Sequence, residues 1–113
     1  MKKLRIWLSY DLGIRGDYEG LYKWLDEHSA VETGNSCASF SFSFKDDNDE
    51  TIKKTLIKEW KNCIKDSRNT RMYVIRKTVK DGKEGMRGSF IIGARKGNPW
   101  EGYAERESEE DSE

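Results

Sequence analysis

Asp11 is the carboxylate whose setting in this 113-residue chain best suits chemistry. It follows Tyr10 at the end of the alternating run Leu4-Arg5-Ile6-Trp7-Leu8-Ser9-Tyr10, and strand ends present side chains where loops meet. One such aspartate from each of two subunits would hold Mg²⁺ with water and phosphate oxygens. The competing structural reading has Asp11 bonding loop amides near Gly13 and Gly16, as turn aspartates do. His28 is the only histidine. That excludes a histidine pair, a Ser-His-Asp arrangement or a multi-histidine metal site within one chain. Its place near the end of a helical run suits an imidazolium at a helix C-terminus. Gly13 and Gly16 are followed by no Walker lysine and lack the rest of a dinucleotide pattern. Cys37 and Cys63 have no metal spacing and read as small residues in or near the core.

The second chemical feature is a set of cations interleaved with rings. Arg5, Arg71, Arg76, Lys77, Arg87, Arg95 and Lys96 fall on strands or strand ends, with Trp7 and Tyr73 among them. Rings between basic side chains are the combination with which single-strand readers stack bases and neutralise phosphates. The ribonucleoprotein consensus is absent. From Cys37 to Phe44 the chain alternates, with Ala38, Phe40, Phe42 and Phe44 on one side and Ser39, Ser41 and Ser43 on the other. The rings need a core, and the hydroxyl face leaves one side of a sheet open. Three occupants fit that face: a second copy of the chain, a nucleic acid, or the segment Asn98 to Tyr103. In that segment Trp100 follows the only proline, Pro99, and Tyr103 lies close behind.

Periodicity supplies the elements that would position these residues. Leu4 to Tyr10 reads as a first strand, and Asp17 as the cap of a helix carrying Tyr18, Leu21, Tyr22, Leu25 and His28 on one stripe. Ala30 to Thr33 and Cys37 to Phe44 make a hairpin about Gly34-Asn35. Asn48 or Asp49 caps a second helix with Ile52, Leu56, Trp60, Cys63 and Ile64 on its apolar side. Arg71 to Lys77 and Met86 to Ala94 are strands about an Asp81-Gly82 turn, with Phe90 and Ile92 on one side of the second. This order predicts an α+β, ferredoxin-like βαββαβ fold with an extra C-terminal strand, its antiparallel sheet carrying two helices on one face.

The length suits one domain, set at residues 1–97, followed by an aromatic docking segment, 98–104, and a disordered acidic tail, 105–113. Net charge is zero, yet residues 1–104 hold 20 bases against 15 acids, and the tail holds six acids against Arg106. A mildly basic body favours a phosphate-bearing partner, with the tail as an internal competitor. No signal-peptide core follows Met1-Lys2-Lys3 and nothing is long enough to span a bilayer, so a cytoplasmic protein with no membrane role is expected.

The βαββαβ order, the first strand running into Tyr10-Asp11 and the strand after the core resemble the small nuclease-fold subunit of CRISPR adaptation and the related virulence-associated protein D ribonucleases. The resemblance covers approximately residues 3 to 95. It implies a homodimer formed through the sheet, with Asp11 paired across subunits in Mg²⁺-dependent cleavage of RNA or DNA, or a scaffold that binds nucleic acid without cleaving it. It also implies that arginines at the sheet edge contact phosphates. The leading expectation is a small homodimeric nucleic-acid-binding protein, with Mg²⁺-dependent endonuclease activity as its enzymatic form. The alternative is a non-enzymatic module that binds a protein partner through Ser39, Ser41, Ser43, Trp100 and Tyr103.

Overall fold

The computed structural model describes residues 1–104, so the 105–113 tail lies outside the described residues. Seven elements follow one another: β1 (Lys2–Asp11), α1 (Tyr18–Glu27), β2 (Val31–Gly34), β3 (Cys37–Phe44), α2 (Asp49–Cys63), β4 (Arg71–Lys80) and β5 (Lys83–Ile92). The strands form one open sheet in the order β2-β3-β1-β4-β5, antiparallel throughout. This α+β architecture is compatible with a ferredoxin-like fold.

One face of the sheet is covered. Ile6, Leu8, Phe40, Met72 and Val74 meet Leu21, Trp24 and Leu25 of α1 and Ile52, Leu56 and Trp60 of α2 in a single core. Trp24 is its aromatic centre. His28 stacks on the Trp24 ring with centroids 3.9 Å apart, while Phe40 and Trp60 approach edge-on at 5.1 and 5.6 Å. The stripe expected on α1 omitted Trp24 and included Tyr22; the structure buries Trp24 and exposes Tyr22. Asp17 and Asn48 are the helix N-caps, accepting from the Gly20 and Glu50 amides at 2.9 Å, and His28 is the C-cap of α1.

The β4–β5 hairpin departs most from expectation. Asp81 and Gly82 both adopt positive φ, 53° and 75°, the geometry of a two-residue hairpin turn that lets paired strands run up to it. β4 therefore extends to Lys80, and β5 starts at Lys83, not Met86. A bulge between the Met72–Ile92 and Tyr73–Phe90 pairs then places Phe90 and Ile92 on opposite faces. Ile91 and Ile92 enter the core, and Phe90 joins Tyr73 on the open side. The β2–β3 turn is shifted by one residue, since Gly34 pairs with Cys37 across Asn35-Ser36.

Candidate nucleic-acid interface

Directly paired residues of antiparallel strands share a face, so the ladders define the open side row by row. Ser39, Trp7, Ile75 and Gly88 form one row, continued by Val31 on β2. Cys37, Ser9, Tyr73 and Phe90 form the next row. Trp7 is 42% exposed and Ile75 38%, so large apolar groups stand in solvent at the centre of the sheet. Ser39 is buried beside Trp7 and faces the Arg5 guanidinium at 3.4 Å; Ser41 is half-buried and Ser43 exposed.

The pairing of the two central strands stops halfway. β1 and β4 pair only from Ile6–Arg76 to Asp11–Arg71, although β1 begins at Lys2 and β4 runs to Lys80. Continuing that register would set Arg5 against Lys77 and Lys2 against Lys80, and like charges directly opposite oppose pairing. A seam lies between the start of β1 and the β4–β5 hairpin. It forms a cleft of about 620 Å³ lined by Lys2, Lys3, Arg5, Trp7, Lys77, Lys80 and Arg87, with Asp47 and Asp49 at its helix side. Asp49 binds Arg76 and lies 2.6 Å from Arg87, Asp47 lies 3.9 Å from Lys2, and Glu84 lies 2.6 Å from Lys77. For Lys3 and Lys80 no ion pair forms among the described residues.

A second cleft, of about 280 Å³, lies along the same strands at the Asp11 end, lined by Ser9, Tyr10, Asp11, Arg71, Tyr73, Phe90 and Arg95. The Asp11 Oδ1 accepts the Gly13 N–H at 3.0 Å and its Oδ2 lies 3.9 Å from the Arg71 guanidinium. The expected turn role of Asp11 is therefore present in the structure. Tyr73 and Phe90 meet edge to face at 4.8 Å, with the Arg95 guanidinium 6.0 and 5.7 Å from their centroids. Burial, reinforced by Tyr22, pushes the Tyr10 hydroxyl up to about 12, and its ring packs edge-on against Tyr18 and Tyr22 on the helix side, away from Asp11.

The sequence-selected residues are thus divided. Arg5, Trp7 and Lys77 line the seam, and Arg71, Tyr73 and Arg95 line the second cleft. Arg76 is 7% exposed, and its alternation with Val74 turns it to the helix-covered face, where Asp49 neutralises it. It lines the seam from the helix side, with Asp49. Lys96 is exposed beyond β5. Trp100 and Tyr103, 65% and 87% exposed, are held in turns by the Asn98 and Trp100 carbonyls and do not cover the sheet. Lys2, Lys3 and Lys80 at the seam, and Phe90 in the second cleft, escaped the sequence reading. For Lys80 the Asp81-Gly82 turn was the signal, since such a turn carries strands to its edges.

Asp11 and Arg71 test the Mg²⁺ expectation. Mg²⁺ takes oxygen ligands in near-octahedral order, and one carboxylate beside a guanidinium does not make that set within one chain. Among the described residues no three His, Cys, Asp or Glu side chains gather to hold a metal. No described helix is long and apolar enough to cross a membrane. The chain matches no family model, no curated protein and no solved structure at a significant level.

Proposed function

We propose that this chain is a single-strand nucleic-acid-binding module on a ferredoxin-like core, with β5 appended to extend the open sheet. The observation that carries the reading is the open seam between β1 and β4, a basic cleft with the exposed Trp7 ring on its wall. A phosphate backbone there would relieve the repulsion between Arg5 and Lys77 while bases stack on Trp7. Direct binding of short labelled single strands tests it, with Trp7→Ala and Arg5→Gln as variants. Removing the ring weakens binding by about 1–3 kcal/mol at all salt concentrations. Removing the arginine weakens it chiefly at low salt. Unchanged affinity in both variants would overturn the reading. The reading is one of binding; a single chain supplies one carboxylate, Asp11, beside Arg71.

A homodimer through the same face is the second reading, favoured by the exposed row of Val31, Trp7 and Ile75. Sedimentation equilibrium decides it: self-association weakened by Ile75→Lys supports a dimer, and a monomer at all concentrations removes it.

A further inference from the structure

The cleft at the Asp11 end differs chemically from the seam. Arg71 and Arg95 bring two guanidiniums to it, and the Arg71 Nε is buried without a hydrogen-bond partner among the described residues. An anionic ligand atom in the cleft would meet the guanidinium end of Arg71, a side chain 33% exposed and 3.9 Å from Asp11. Gly93 leaves the room that the Arg71 stem occupies, because a Cβ there would come within 2.9 Å of the Arg71 Cγ and 2.7 Å of the Thr70 carbonyl oxygen. Gly88 does the same for the aromatic wall, where a Cβ would collide with the Tyr73 hydroxyl. The cleft thus offers two guanidiniums beside a pair of rings.

Asp11 then closes the track. β1 and β4 offer Lys3, Arg5, Lys77 and Arg71 along the open face, and the strand ends in a carboxylate fixed by the Gly13 amide. A phosphodiester continuing past this point would meet a fixed negative charge, whereas a hydroxyl would meet an acceptor. We infer that this cleft receives the end of a bound strand: its last phosphodiester lies at Arg71 and Arg95, its last base against Phe90, and its terminal hydroxyl donates to the Asp11 Oδ2. The inference rests on the single-strand reading of the open face. A 3′-hydroxyl and a 5′-hydroxyl offer Asp11 the same chemistry, so both ends enter the test.

The experiment measures binding of an internally labelled short single strand carrying hydroxyls at both ends, a 3′-phosphate, or a 5′-phosphate. Expected is a loss of about fivefold on phosphorylating one of the two ends, which identifies the end received. Asp11→Asn keeps an oxygen for the Gly13 amide while removing the charge, and is expected to abolish the difference. Equal affinity for all three strands overturns the inference and leaves the single-strand reading standing, as does an end preference that survives in Asp11→Asn. Absence of binding to every strand overturns both.

Discussion

Asp17 joins the two helices through one carboxylate. It accepts the Lys65 amide just past α2 and the Gly20 amide within α1, each at 2.9 Å. These bonds, Lys65 first, hold its carboxyl below the usual range. The Asn48 amide lowers Asp46, Lys54 lowers Glu50 and Arg68 lowers Asp66. A carboxyl whose folded pKa lies below its unfolded value contributes stability that is complete above the unfolded value, about 4, and is lost as pH falls through the folded one. The melting temperature therefore declines on acidification below about pH 4. Asp17→Asn is expected to melt lower at neutral pH and to show a shallower acid decline; an acid limb as steep as wild type would contradict this linkage. Gly20→Ala should also lower the melting temperature, although the same change in an open helix gains about 1 kcal/mol. Its Cβ would collide with the Cys63 carbonyl at the end of α2. Asp17 was legible as a cap from its position alone. The need for Gly20 was not, because the atom it must avoid belongs to another helix.

At the scale of elements, the seam explains why an otherwise regular sheet is incomplete between its central strands. If like charge holds it open, Arg5→Thr with Lys77→Thr should extend the β1–β4 ladder. Slower amide exchange at Lys2–Arg5 and Lys77–Lys80 would report that, and unchanged exchange would place the cause elsewhere. Arg76 beneath the seam has a different task, since its buried guanidinium ties β4 to Asp49 at the start of α2. Arg76→Ala is expected to cost about 1–2 kcal/mol in denaturant unfolding, chiefly through the lost packing of its buried stem, since the half-exposed Asp49 keeps Arg87. Strand order along the chain followed from period-two runs, and β3 was read at its observed bounds of Cys37–Phe44. The seam was not legible: it depends on register between Arg5 and Lys77, which alternation within either strand does not specify. The face of Phe90 was misjudged for a similar reason, as a bulge shifts parity without altering the local pattern.

For the whole molecule, charge is sorted by layer. The strands carry Lys2, Lys3, Arg5, Arg71, Arg76, Lys77, Lys80, Lys83 and Arg87 against Asp11, Glu32 and Glu84, so the helices and loops of residues 1–104 add no further positive excess. Composition showed that the body is basic, but only the fold gathers that charge on the sheet. Salt dependence reads this distribution directly, since a strand lying along Lys3, Arg5, Lys77 and Arg71 would displace counterions at about four phosphates. The first measurement is therefore the equilibrium affinity for a short single strand at about 50 and 200 mM salt. The account predicts a loss of about 50-fold across that range, for a logarithmic slope near −3. Affinity that barely changes with salt, or no binding at the lower concentration, would contradict it.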